Sequence, residues 1–247
     1  MGLRNLYKVF NETRKAARSQ ATLAVVGDSP RAAEVANLLG AQRGTKGAEI
    51  VLSVSGNSLA LSGKAVEEPG EIPLSSGSVD LEELTTRVVR ALDDDYLVAL
   101  AKGYPPFRRA ACEEIIRHNA RQNAVVGALP IPGADMPVMT ANQARMVLNI
   151  AAAYGEELSV ERARELLGVL AAGFGLRALG RQAVKLVPLG GWAAAGVIGY
   201  AGTIAMGRAT ILYFERGGQR VGEREMAEIR RRALEEGRTF VSRLRRR

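Results

Sequence analysis

The 247-residue sequence predicts an α+β chain that is mainly α: a small α/β head followed by a helical, glycine-rich body. Three observations predict it. A strand–turn–helix–strand pattern is confined to residues 21–79. From Asp80 onward, apolar residues recur at helical spacing and are interrupted mainly by proline and glycine. Within that helical part, Leu186 to Gly207 (LVPLGGWAAAGVIGYAGTIAMG) are twenty-two consecutive residues without a charge. The chain therefore divides into a basic amphipathic N-terminal helix (1–20), the head (21–79), a helical domain (80–218) and an Arg/Glu-rich C-terminal helix (219–247).

The elements follow in order. Leu3, Leu6, Tyr7 and Phe10 repeat at helical spacing beside Arg4, Lys8, Arg14 and Lys15, which predicts an amphipathic helix over 3–19. TLAVVG, residues 22–27, reads as a short buried strand. A turn at Gly27–Pro30 then opens the helix RAAEVANLLG, with Pro30 at a favourable first position and Gly40 at the end. Strands follow at Glu49–Val54 and near Ser58–Leu61, giving a βαβ-type unit. Residues 62–79, rich in Gly, Ser and Pro, read as loop. Asp80 with Glu83 forms a capping-box pattern ahead of one helix over 81–101. Pro105 and Pro106 break the pattern before a helix over 107–128. Ala124–Ala144 is apolar but interrupted by Pro130, Pro132 and Pro137. Thr140 is expected to cap a helix ending at Gly155, and Ser159 the next, to about Lys185. The charge-free run continues apolar to Phe214, Gly217 and Gly218 form a hinge, and 221–247 is a helix whose apolar side is Met226, Ile229, Ala233, Phe240 and Leu244. The two apolar stretches share a Pro–Gly start and an arginine deep in the helix that follows, a weak sign of an internal repeat.

Composition excludes several classes. Cys112 and His118 are the chain's sole cysteine and histidine, so neither a disulfide framework nor a zinc site is expected. On one helix they are six residues apart, about 240° of rotation, so no Cys–His dyad forms. Asp93–Asp95 lacks the spacing of a calcium loop and reads as a helix end or solvated corner. The first twenty residues lack a signal peptide's apolar region, and Leu6 stands where a myristoylation motif needs Ser or Thr. The net charge of +8 hides an asymmetry: residues 21–100 are acidic (six basic, twelve acidic) inside an otherwise basic chain. Basic ends suit an anionic lipid surface. They also suit nucleic acid, but the C-terminal helix lacks the interleaved aromatics that single-strand binding uses.

A phosphate-binding loop would sit after the strand TLAVVG. It needs a second glycine, then Lys and a hydroxyl, because backbone N–H groups cradle the phosphate and the Lys neutralises it. Here the sequence is GDSPRAAE. Ala32, Ala33 and Glu34 occupy those three positions, and Asp28 and Glu34 would repel phosphate. The head is expected to be a relic of such a site or an ordinary βα turn. No catalytic, cofactor or metal residues are assigned.

The charge-free run has the length of a membrane-crossing helix, ~20 apolar residues. Trp192, Arg208, Tyr213 and Phe214 are candidate interface anchors, the aromatics about 32 Å apart along a helix. Gly191, Ala195, Gly199, Thr203 and Gly207 recur every fourth residue. Such a small-residue stripe lets a second helix backbone come close, in lipid or in a soluble core. The same run therefore fits a span or the buried central helix of a soluble bundle.

Three pieces of this sequence together resemble a known family. They are the PIPGAD–MPVMTANQARM block, the AAAYG helix end, and the glycine-rich helix running through Gly207–Arg208. Across roughly residues 107–218 the chain resembles the YcjF-type membrane-associated domain of unknown function, often linked to Era-like GTPase domains. The resemblance implies a helical, bacterial, membrane-associated protein with no assigned catalytic residues. The missing phosphate loop and missing Asn-Lys-x-Asp motif imply a degenerate GTPase-like head. The expectation is a non-enzymatic scaffold or docking protein at the cytoplasmic face of the cell membrane, with a membrane-integral helix as one form of attachment. Its partners would be the membrane, including anionic lipid, and a second copy or another protein; nucleic acid is disfavoured. The alternatives are a soluble helical interaction protein and a degenerate GTPase that retains nucleotide binding.

Overall fold

A computed structural model describes residues 21–74, 77–128, 135–156 and 191–244. The N-terminal helix expected over 1–20, the helix expected after Ser159, and the Pro188–Gly190 start of the charge-free run lie outside the described residues. The chain divides into two compact units. One comprises Arg14–Glu114 with Ala152–Glu156; the other comprises Met1–Thr13, Ile115–Ala151 and Glu157–Arg247.

The first unit is built on a four-stranded sheet of order β1-β2-β3-β4: β1 (Leu23–Val26), β2 (Ile50–Ser55), β3 (Ser58–Ser62) and β4 (Gly70–Pro73). β1 pairs parallel to β2, with Leu23 opposite Ile50, and the other two pairings are antiparallel. Between β1 and β2 runs α1 (Pro30–Leu39). Its start is written in the sequence. The Ser29 hydroxyl accepts the Ala32 N–H at 3.2 Å, and Pro30 lacks the N–H that the first turn leaves unused anyway. Gly40 ends the helix in the left-handed conformation, φ 66°. Leu23, Val35, Leu39, Ile50, Leu52 and Leu59 are fully buried and form the core between sheet and helix.

Three expectations are corrected. The segment 62–79 holds the short edge strand β4, with Ile72 as its one buried residue. The single helix over 81–101 is two: α2 (Leu81–Arg90) and α3 (Asp94–Gly103). Leu92 breaks it by bridging to Val66, and the Asp93 carboxylate then accepts the Asp95 N–H at 2.8 Å to start α3. The Asp triple thus begins a helix. Asp80 caps α2 as expected, but Glu83 turns to Arg87 at 2.7 Å. After a turn at Pro105–Phe107 comes α4 (Arg108–Ala128), whose residues up to Glu114 belong to the first unit.

The second unit holds the rest of α4, α5 (Asp135–Ala153) up to Ala151, α6 (Gly191–Glu215) and α7 (Glu223–Leu244). α5 begins five residues before Thr140, which is interior to the helix and is not its N-cap. Pro137 falls in its first turn, where the missing N–H has no intrahelical partner to lose. Gly217 and Gly218, at φ 64° and 89°, turn the chain from α6 into α7. The buried side of α7 is Met226, Ala233, Gly237 and Val241; Phe240 is partly buried, and Leu244, expected on this side, is half exposed.

Candidate functional site

At the head, the turn after β1 is held by contacts to Val54 and Arg43. Gly27 has φ 135°, and a Cβ there would stand 2.5 Å from the Val54 carbonyl oxygen, so glycine is required by strand packing. The Arg43 guanidinium donates to the Gly27 carbonyl, and Arg31 pairs with Glu34 at 2.9 Å. Nearby, the Glu49 carboxylate accepts the Thr22 N–H at 2.7 Å and faces the Lys64 ammonium at 3.3 Å. The backbone N–H foremost, with help from Lys64, holds the Glu49 carboxyl below its ordinary pKa of 4.5. Cys112 is buried and free, and His118 contacts the Gln122 amide at 2.7 Å. Among the described residues no group of three or more His, Cys, Asp or Glu side chains could hold a metal ion.

The second unit brings most of the small residues of α6 against neighbouring helices. A Cβ on Gly199 would lie 2.5 Å from the Asn123 carbonyl oxygen of α4, and one on Gly207 would collide with Ile116. From the α4 side, Gly127 also comes close to the Ala195 carbonyl, where a Cβ would stand 3.0 Å away. Thr203 is fully buried. Its hydroxyl accepts from the Asn123 amide at 2.9 Å and from the Gln143 amide at 3.4 Å, and donates to the Gly199 carbonyl at 2.8 Å. Asn142 of α5 donates to the Asn123 carboxamide oxygen at 3.1 Å. Three helices thus meet at one satisfied polar knot. The packing of Gly191 and the side chain of Trp192 lie outside what is described.

The opposite flank of α6 is covered by α7. Gly237 lets α7 approach the Val197 carbonyl, a Cβ there standing at 3.1 Å. Tyr200 stacks on Phe240 with ring centroids 4.8 Å apart. Arg208 makes a two-pronged pair with Glu236, at 2.6 and 3.4 Å, and Arg216 does the same with Glu225, at 2.7 and 2.6 Å. Tyr213 and Phe214 meet edge to face. Burial, then the Glu236 charge, pushes the Tyr200 phenol above its ordinary pKa of 10.0. On the outer face of α7, hydrogen bonds from Arg231 and then Arg232 hold the Glu228 carboxyl at about 2.

A family model described as Domain of unknown function (DUF697) matches residues 94–239. The chain belongs to this family. No curated protein and no solved structure matches it. The DUF697 match begins at the first residue of α3 and ends within α7, so it contains the polar knot and both flanks of α6, and excludes the sheet. Sequence reasoning selected Thr203 of the DUF697 domain but not its partners Asn123 and Gln143, nor Asn142, which bonds Asn123. The signal for Asn123 was present: a carboxamide one residue before the uncharged stretch Ala124–Ala134.

Proposed function

We propose that this DUF697 chain is a non-enzymatic helical docking protein that attaches to the membrane from its cytoplasmic side, with α6 as a protein-buried core helix and not as a span. The observation that carries this reading is the charged helix α7 lying along α6. Of the most apolar window in α6, 67% is buried inside the protein. A helix crossing the bilayer with α7 attached would carry Glu228, Arg231, Arg232 and Glu235 into hydrocarbon, at ~2.5–3.5 kcal/mol for each charge near the centre. Those four side chains pair with one another on the exposed face of α7 and do not neutralise themselves against α6. Attachment then falls to basic surface, for which the sequence of residues 1–20, with five basic residues and one acidic, is the leading segment.

A second reading keeps α6 as a span. Its mean hydropathy of 1.2 over an eighteen-residue window, on a helix from Ala193 to Glu215, favours it. Washing membranes from expressing cells separates the readings. Release by high salt or alkaline carbonate supports surface attachment. A requirement for detergent refutes it in favour of the span, and a protein wholly in the supernatant before any wash refutes both in favour of a soluble interaction protein. The head belongs to the proposal as a turn held by Arg43 at the Gly27 carbonyl, resembling an Era-like GTPase that has lost its phosphate loop.

A further inference from the structure

Four large apolar side chains stand exposed among the described residues: Leu38 in the head, and Val125, Val138 and Leu244 in the helical unit. Scattered singly, such side chains need no explanation. The latter three share one end of the unit. At Gly196 of α6, a Cβ would meet the Ala124 carbonyl oxygen at 3.1 Å, the Ala128 methyl at 3.6 Å and the Val241 side chain at 3.7 Å. At Gly199 it would meet the Met139 methyl at 3.0 Å. α4 and α7 therefore end, and α5 begins, where α6 begins. Val125 follows Ala124, Val138 precedes Met139, and Leu244 lies about one turn beyond Val241. All three thus fall within roughly 10 Å of the α6 start along its axis. They are 53%, 46% and 50% exposed.

Charge is sorted at the same end. Earlier in α7, Glu225, Glu228, Glu235 and Glu236 each pair with an arginine. From Gly237 to Leu244 there is no acidic residue, and Arg238 and Arg243 are exposed with no ion-pair partner among the described residues. Residues 123–128 of α4 carry no charge, and the acid at this end among the described residues is Asp135, the first residue of α5. The helix dipole accounts for an arginine in a last turn. It does not account for apolar side chains left in water at the same level.

We propose that this end of the helical unit is the face that docks on an anionic lipid bilayer, with Val125, Val138 and Leu244 entering the interface and Arg238 and Arg243 meeting lipid phosphates. The inference rests on the surface-attachment reading above and assigns the contacting face. An interfacial anchor combines apolar side chains, sunk about 5–10 Å into the headgroup boundary, with basic residues drawn to anionic lipid. The axial spread of the three apolar residues matches that depth. They stand on three different helices at one level, so a flat, fluid surface meets them together. Guanidinium groups present paired N–H donors matched to phosphate oxygens.

The full-length chain is floated with phosphatidylcholine vesicles with and without phosphatidylglycerol. Trp192, the sole tryptophan, is the second residue of α6 and reports on this end through quenching by acyl chains brominated near the headgroup. Wild type should bind the anionic vesicles, less as salt rises, with Trp192 quenched. Arg238→Gln with Arg243→Gln should weaken binding roughly thirtyfold, whereas Arg238→Lys with Arg243→Lys should keep it. Val125→Thr, Val138→Thr and Leu244→Ser together should weaken it about tenfold. These positions are exposed, so circular dichroism melts should not move. Binding lost in the Gln and apolar variants with unmoved melts establishes the face. Wild-type binding that survives them, or that leaves Trp192 unquenched, overturns the inference and leaves attachment through another surface. Equal binding to neutral vesicles overturns it as well. A wild-type dimer in light scattering that the apolar variant dissociates overturns it in favour of a second copy at this end. No vesicle binding by wild type overturns it in favour of a protein partner, whereas the attachment reading itself is decided by the wash of cell membranes.

Discussion

Gly199→Ala tests the seam between α4 and α6 with one methyl group. The new Cβ would stand 2.5 Å from the Asn123 carbonyl oxygen, 3.1 Å from its carbon and 3.0 Å from the Met139 methyl. Non-bonded carbon contacts are comfortable near about 3.5 Å. The methionine can swing aside, but the carbonyl belongs to the α4 backbone, so the two helices must separate by several tenths of an ångström. Overpacking of this kind costs ~1–3 kcal/mol. Alanine returns up to ~1 kcal/mol through its higher helix propensity. The net expectation is a loss of about 1 kcal/mol, or roughly 2–4 °C in Tm for a chain of this size. Gly199→Leu should lose more. Gly103→Ala is the matched control: it closes α3, has ordinary φ and meets nothing within 4 Å, so it should hold or raise Tm. Thermal melts followed by circular dichroism at 222 nm, about the wavelength of the helical signal, read both. A Tm for Gly199→Ala equal to or above wild type would refute the close approach, because only a helix face touching nothing gains from the methyl.

Asn123→Ala should cost ~1–3 kcal/mol by removing a hydrogen bond to the buried Thr203 hydroxyl and the acceptor of the part-buried Asn142 amide, and its double-mutant cycle with Thr203→Ala should show coupling of at least ~0.5 kcal/mol in denaturant melts. Glu49 has a depressed folded pKa, so its contribution is present above the ordinary carboxylate range and is lost as pH falls through the folded value. Acid titration of head stability should therefore steepen below about pH 4.5, and Glu49→Gln should flatten it; an unchanged profile refutes the role assigned to the Thr22 N–H. Calorimetry with GTP or ATP and magnesium should show no binding tighter than millimolar at the head, since Ala33 and Glu34 stand where a phosphate loop carries Lys and a hydroxyl; micromolar affinity lost on changing Arg31 would refute that.

The local grammar of the head was readable because each signal acts within a few residues. Ser29, Pro30 and Gly40 bound α1, and Asp80 starts α2, by contacts no farther than one helical turn. What escaped depends on distant partners. Leu92 breaks a continuous helical pattern because Val66, twenty-six residues earlier, pairs with it. β4 has one inward apolar residue, too few for a period-two pattern, and its Pro73 is tolerated at a sheet edge. The spacing of small residues on α6 was visible in the sequence. Which helix they meet was not, because Asn123 and Gln143 are separated from Thr203 by 80 and 60 residues.

The composition of α6 carries its own argument about environment. Glycine in a helix open to water costs ~1 kcal/mol against alanine, so a glycine-rich helix needs compensation from close packing. Gly196, Gly199 and Gly207 receive it from α4, and Gly127 and Gly237 of the neighbouring helices return it against the Ala195 and Val197 carbonyls. Close approach is therefore reciprocal on two flanks. A helix meant for lipid on those flanks would gain nothing from glycine there, because acyl chains fill a groove as readily as they cover a leucine. The polar knot at Thr203 adds the same lesson from the other direction. Its hydroxyl meets one acceptor and two donors within the chain, so it needs neither water nor a second copy to satisfy it. Within the described residues, Ala193–Gly207 is mostly buried against protein, and charged side chains lie on the helices that pack on it, as on the outer face of α7.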